Sequence, residues 1–326
     1  MLIVRTPYRI PLAGGGTDLD FYYKKKGGLL ISATINEFVF SSLLKRPVDN
    51  KILVQTTHTQ FADNLKGIKH YMIKEILKYF KIKKKIQIGT YSTIPTNTGL
   101  GTSSSLIVGL VKGLAKLYNK KFDKKKIIKI AYEIERKRLG LDGGWQDQII
   151  SAYGGIRKIS INKSGKFFVK EIVVKPKIIK KLEKNFVLVF TKKTRHSSKL
   201  IQVQRKKVNK KHIIKVYDQI KNFVNGMETS LKKGDYKKIG EIFHNHWIIK
   251  KKLTKHISNS YLDKFYLKLL KDKNFVGGKI IGAGGGGFFL MVTKNLKASS
   301  KFLNKRNINF TKIKFDFTGS KIIYDV

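Results

Sequence analysis

Apolar and polar positions alternate in short runs through the first half of this chain, and between those runs apolar residues recur every three to four positions. Residues 2–4, 38–44, 52–55 and 86–90 read as strands, and 68–80, 103–118 and 124–138 as amphipathic helices. Tyr153 is followed by Gly154 and Gly155, and then 156–161 and 167–174 form a hairpin around Lys163, Ser164 and Gly165. A strand at 186–190 opens a new unit. It carries helical periodicity at 200–231, 235–253 and 258–270, and strands at 279–281, 288–292 and 307–313. This order predicts an α+β protein of two units, 1–185 and 186–326.

The 326 residues, 41% of them apolar, suffice to bury two medium cores. No stretch approaches the roughly 18 unbroken apolar residues of a membrane span, and the first residues form a charged, strand-like segment rather than an apolar leader. The expectation is a cytoplasmic protein without membrane partners. The absence of cysteine excludes disulfides and thiolate chemistry. Lysine and arginine outnumber the acids 69 to 21, giving a formal charge of +48. Such an excess raises nucleic acid as a partner. The lysines are dispersed, however, in clusters at 24–26, 83–85, 124–126 and 250–252, which suits solvated faces better than one binding stripe. What remains is a positive field that attracts polyanionic small molecules.

Three glycine clusters carry the candidate chemistry. Pro95-Thr96-Asn97-Thr98-Gly99-Leu100-Gly101-Thr102-Ser103-Ser104-Ser105 follows a strand and opens a helix whose apolar face includes Leu106, Leu110, Leu114 and Leu117. Unpaired amides and the positive end of the helix dipole converge there, and glycine lets the backbone approach a phosphate closely. The loop lacks the Gly-Lys-Ser/Thr of a Walker A sequence and the Gly-x-Gly-x-x-Gly of a dinucleotide turn. On its own it also fits an ordinary capped helix. The other clusters are Ala13-Gly14-Gly15-Gly16-Thr17-Asp18 and Gly282-Ala283-Gly284-Gly285-Gly286-Gly287. Each is either a flexible turn or backbone cleared around a bulky ligand.

Together with the flanking Pro7 to Leu12 and Lys279-Ile280-Ile281, these segments resemble, in order and spacing, the three motifs of the GHMP kinases. That superfamily includes galactokinase and the homoserine, mevalonate and phosphomevalonate kinases. The resemblance spans nearly the whole chain. It implies a first domain like one of a small-subunit ribosomal protein, a ferredoxin-like second domain, and the use of ATP and Mg2+. It places Pro95, Gly99, Leu100, Gly101, Thr102, Ser103, Ser104, Gly284 and Gly285 around the nucleotide.

A kinase of this kind needs one acid for the metal and another to take the alcohol's proton. On the helix at 124–138, Glu135 follows Ala131 by four and Ile128 by seven, on the inward side, where a carboxylate is costly without a cation. Glu135 is therefore the expected metal ligand, unless it is buried against an arginine. Glu133 lies between Lys129 and Lys137 on the solvated side. Ser103 matches the family serine that helps coordinate magnesium, while Thr102, Ser104 and Ser105 are expected to cap the helix. The segment Leu141-Asp142-Gly143-Gly144-Trp145-Gln146-Asp147-Gln148 is similar to the family's turn-then-helix, in which an aspartate takes the proton; Asp147 matches it. Arg9 matches the basic residue of the first motif, which would keep the base ionised and offset charge on the transferring group.

Galactokinases follow the first-motif glycine with Glu-His-Thr-Asp, whereas this chain has Gly15-Gly16-Thr17-Asp18, which disfavours galactose and makes room for a larger acceptor. With Thr194-Arg195-His196-Ser197-Ser198, the combination is similar to the D-glycero-D-manno-heptose 7-phosphate kinases, which phosphorylate the anomeric C1 hydroxyl on the route to nucleotide-heptose for surface polysaccharide. The resemblance then implies a sugar phosphate held by Gly15, Gly16, Thr17, Asp18, Gly143 and Gly144, with Arg195 as a clamp for its phosphate. Rival readings are a kinase of a free sugar such as fucose and a nucleic-acid-binding protein. The sequence leaves a homodimer open.

Overall fold

The computed structural model describes residues 1–194, 197–206 and 211–326. In chain order the elements are β1 (Leu2–Ala13), α1 (Asp20–Lys26), β2 (Gly28–Lys45), β3 (Ile52–Gln55), β4 (Thr59–Ala62), α2 (Tyr71–Tyr79), β5 (Ile86–Ser92), α3 (Thr102–Leu117), α4 (Lys124–Tyr132) and α5 (Gln146–Tyr153). They continue with β6 (Ile156–Ile161), β7 (Phe167–Glu171), α6 (Pro176–Glu183), β8 (Phe186–Phe190), α7 (Ser197–Lys206), α8 (Lys211–Lys233), α9 (Tyr236–Lys251), α10 (Ser260–Leu270), β9 (Phe275–Ile280), β10 (Phe288–Thr293), α11 (Leu296–Lys305), β11 (Phe310–Lys312) and β12 (Lys321–Asp325).

Among the described residues the strands form two sheets. The first runs β12-β1-β2-β5-β3-β4, with β6 also on β2 and β7 on β6; the second runs β11-β8-β10-β9 and is antiparallel throughout. The apolar faces of α2, α3 and α4 cover the first sheet through Ile73, Ile76, Leu110, Leu114, Ile127 and Ile128. A second core joins β1 and β2 to β8, β10, α8 and α9, through Ile10, Leu12, Ile31, Leu188, Leu290, Val224 and Phe243. That core spans both sheets and is lined by apolar side chains from each. It fixes one wall of the cleft against the other.

Several elements depart from the periodicity. The strand expected at 2–4 runs on to Ala13 through Pro7 and Pro11, with register shifts against β2 between Pro7 and Arg9 and between Pro11 and Ala13. Proline removes a ladder donor, and such irregularities are where a strand tolerates it. Within the helical stretch 200–231, the described residues lie in α7 and α8. Leu2 to Arg5 pair with β12, so the last strand of the expected 186–326 unit is held by the first sheet.

A candidate active-site cleft between the glycine loops

Between β5 and α3 the chain passes through left-handed conformations at Asn97 (φ 62°), Gly99 (φ 87°) and Gly101 (φ 79°). Gly101 is the N-cap of α3, and no side chain caps that end. The hydroxyls expected as caps are engaged elsewhere. Ser104 Oγ donates to Glu135 Oε2 at 2.6 Å, and Ser105 Oγ donates to the Pro7 carbonyl at 3.1 Å and meets Ser151 Oγ at 2.9 Å. The physical reason is register: Thr102 to Ser105 lie inside the first turn, past the position from which a side chain reaches back to the orphan amides. Those amides are left for an anion. Gly99, Gly101, Thr102, Ser103 and Ser104 line the cleft. Leu100 is instead buried in the core, its carbonyl accepting from Arg9 N at 3.1 Å, and the Pro95 carbonyl accepts from the Thr98 hydroxyl at 3.1 Å, so these two residues shape the loop.

Arg9 and Asp147 are 138 residues apart and meet here. Arg9 Nε donates to Asp147 Oδ1 at 2.6 Å and Nη2 to Oδ2 at 2.7 Å, while Nη1 donates to the Gly99 carbonyl. This two-pronged pair has side-chain exposures of 8% and 19%, so it is mostly shielded from water and still open to the cleft. A Cβ on Gly101 would sit 3.3 Å from Arg9 Cγ and Nε and from Asp147 Oδ2. The bare glycine thus lets the phosphate loop close directly over the pair.

Beyond Tyr132 the backbone widens into a single π turn, Glu133–Arg138, marked by the Leu139 amide donating to the Ile134 carbonyl at 3.0 Å. Such turns re-aim side chains at functional sites. Glu135 is 3% exposed; its Oε2 accepts from Ser104 Oγ and Gln148 Nε2, both at 2.6 Å, and Arg136 Nη1 lies 3.4 Å from its Oε1. Glu135 lines the cleft, as does Ser103, and Arg136 is the arginine neighbour that the sequence left open for a buried carboxylate here. Glu133 is outside, paired with Arg138 at 3.4 Å rather than with Lys129 or Lys137.

Opposite the phosphate loop, Gly15, Gly16, Asp18, Gly143 and Gly144 line the same cleft. Asp18 is buried; its Oδ1 accepts from the Gly16 amide at 3.1 Å and its Oδ2 from the Gln146 amide at 3.0 Å. Burial pushes its pKa up, against the pull of the amide from Gln146 and with a further push from the Asp147 charge. Any Cβ on Gly144 would lie 2.0 Å from Asp18 Oδ2, which explains that glycine. Thr17 is buried behind the loop, its hydroxyl donating to the Gly14 and Leu29 carbonyls at 2.8 Å.

In the third cluster, Gly282 and Ala283 line the cleft, whereas Gly284 and Gly285 pack on Ile257, whose carbonyl accepts from Gly285 N at 2.8 Å. A Cβ on Gly287 would lie 2.1 Å from the Thr98 carbonyl, so this cluster is bare because it braces the phosphate loop. Arg195 lies outside the described residues. Nearby, α7 is moored across the cleft edge. Ser198 Oγ accepts from the Asp142 amide at 2.9 Å, and Arg205 pairs with Asp142 and Asp20, each at 2.8 Å. Periodicity and motif reading missed Arg136, Gln146, Gln148, Gln204, Tyr217, His246, Lys250 and Lys279. The i, i+4 spacing of His246 and Lys250 on one face of α9 was the available signal for the last group.

Residues 66–155, which include the phosphate loop, Glu135 and Asp147, match the family model of the GHMP kinases N terminal domain. A D-glycero-alpha-D-manno-heptose 7-phosphate kinase from Campylobacter jejuni is 32% identical over 299 residues, 87% of each chain. The crystal structure of a putative sugar kinase from Campylobacter jejuni shares 28% identity and a TM-score of 0.77 over 98% of this chain and 97% of that one. The fold is also that of a D-glycero-D-manno-heptose 1-phosphate kinase from Bacteriodes thetaiotaomicron, with a TM-score of 0.82 at 24% identity and full coverage of both chains. This chain belongs to the GHMP kinase family, as a sugar kinase that phosphorylates an alcohol group.

Proposed function

We propose that this kinase transfers the γ-phosphate of ATP to the anomeric C1 hydroxyl of D-glycero-D-manno-heptose 7-phosphate, yielding the 1,7-bisphosphate and ADP. The observation that carries the reading is the Arg9–Asp147 pair directly beneath Gly101, where a carboxylate faces the start of an uncapped helix. The triphosphate tail would lie on the α3 amides. Asp147 would take the C1 hydroxyl proton as that oxygen attacks the γ-phosphorus and the bond to the ADP oxygen breaks. Arg9 holds the Asp147 carboxylate in place through two hydrogen bonds and would offset charge on the phosphoryl oxygens. The sugar would rest on Gly15, Gly16, Asp18, Gly143 and Gly144.

The donor set fits Mg2+. Glu135 and Ser103 offer the hard oxygens that Mg2+ prefers, and both line the cleft. When bound, the ion would neutralise charge on the transferring phosphate.

The acceptor assignment rests on the similarity to the Campylobacter relative; the room expected at Gly16 is taken up by the Tyr217 ring, 2.6 Å from where a Cβ would lie. A phosphorus NMR assay that resolves anomers, with ATP and a panel of sugars with and without a terminal phosphate, tests it. Formation of a new C1 phosphate only on the heptose 7-phosphate is expected. Equal turnover of a free sugar such as fucose would defeat the heptose assignment.

A further inference from the structure

The wall of the cleft facing away from α3 holds basic groups that the transfer chemistry does not use. Lys279, near the end of β9, is 1% exposed and lines the cleft. Its Nζ donates to the Leu12 carbonyl at 2.9 Å and lies 3.2 Å from His246 Nδ1, both uncharged acceptors when the imidazole is neutral. Among the described residues no carboxylate lies within ion-pair distance of it. His246 and Lys250 stand one turn apart on α9; both are buried, both line the cleft, and the Lys250 ammonium donates to the Gly282 carbonyl. Burial lowers the pKa of both His246 and Lys279; the Lys250 charge lowers both further, and the Lys279 charge also lowers that of His246. The ammonium of Lys279 is thus held at a cost, in a place where only an incoming anion would balance it.

The cluster lies on the acceptor side. Leu12, which receives the Lys279 bond, immediately precedes the Ala13–Asp18 loop and lies three steps along β1 from Arg9, about 10 Å of chain. Tyr217 and Gln204, joined by a 2.6 Å hydrogen bond, complete this end of the cleft next to Gly16. An acceptor whose reacting hydroxyl meets Asp147 would extend its far end toward Lys279. We propose that Lys279, with His246 and Lys250 beside it, forms the subsite for the phosphate that the acceptor sugar already carries. The inference rests on the sugar-phosphate reading above and names residues for it.

The test is Lys279→Met, with Lys250→Met as a second variant, in the full-length enzyme. The expected result is a KM for the heptose 7-phosphate raised at least about tenfold, with KM for ATP unchanged. The melting temperature of Lys279→Met should be equal or higher, because a buried charge without a counter-ion has been removed. A structural strut would instead lose stability with no preference for the phosphorylated acceptor, and that result would overturn the proposal. A rise in KM for ATP would also overturn it, by assigning the lysine to the nucleotide. Should the wild type turn over no sugar phosphate, the functional reading fails separately. Thermal shifts with hexose 6-phosphate and inorganic phosphate then decide the subsite: stabilisation of the wild type and not of Lys279→Met supports it, and equal shifts refute it.

Discussion

Replacing Asp147 by asparagine keeps the shape of the side chain and removes its charge, so two consequences can be worked out from the geometry. The first is catalytic. Asparagine cannot accept a proton at neutral pH, and loss of a positioned general base lowers kcat roughly 100- to 10,000-fold, about 3–5 kcal/mol in the barrier. The second is structural. At an effective dielectric of about 20, unit charges some 4 Å apart attract by about 4 kcal/mol. Breaking a fully buried pair from one side costs about 3–5 kcal/mol, but the 19% exposure of Asp147 and the bond Arg9 keeps to the Gly99 carbonyl reduce this to about 2–3 kcal/mol. The variant should therefore be folded, measurably less stable in urea, and nearly inactive. Steady-state kinetics, with ATP affinity measured by calorimetry, separate the roles: ATP should still bind within about threefold of wild type, since the α3 amides are untouched. A folded variant whose kcat stays within about threefold of wild type would refute the base assignment.

Three further outcomes follow from the same geometry. Glu135→Gln keeps a partner for Ser104 but gives up the anionic charge, so the Mg2+ concentration for half-maximal activity should rise at least about tenfold in a metal titration; an unchanged requirement would remove Glu135 as a ligand. Gly287→Ala places a Cβ 2.1 Å from the Thr98 carbonyl at φ +90°, so it should destabilise the fold by about 2 kcal/mol or more and raise KM for ATP by displacing the phosphate loop, which parallel melting and kinetic measurements would show. Asp18 has a folded pKa above its ordinary 3.8, so the native state binds its proton more tightly than the unfolded chain; its contribution is most favourable at low pH and declines as pH rises from about 4 through the higher native value. Asp18→Asn should flatten that decline in pH-dependent denaturation while weakening acceptor binding, and an unaltered slope would contradict the assignment.

Much of the local structure was legible from residue order because its causes are local. Apolar periodicity marks α3 and β8, and Gly99 and Gly101 mark the loop that opens α3. The inward side of Glu135 followed from its spacing to Ala131 and Ile128, and burial bears this out. What distant segments do to one another was not legible. Hydroxyl caps were expected at α3, yet Ser104 donates to Glu135 and Ser105 to Pro7, because both lie inside the first turn, where a side chain cannot reach back to accept from the orphan amides, and distant segments supply acceptors instead.

By itself, then, the sequence determined the elements, the bare backbone of three loops and the family they resemble, since propensity and backbone freedom act over a few residues. Only the tertiary structure decided that Gly287 braces Thr98 while Gly284 and Gly285 turn away to Ile257, that β12 closes onto β1, and that Lys279 reaches the carbonyl of Leu12, 267 residues away, in the wall of the cleft. Those outcomes depend on which buried polar groups must find partners once two cores have packed together, and chain order does not encode that pairing in any short window.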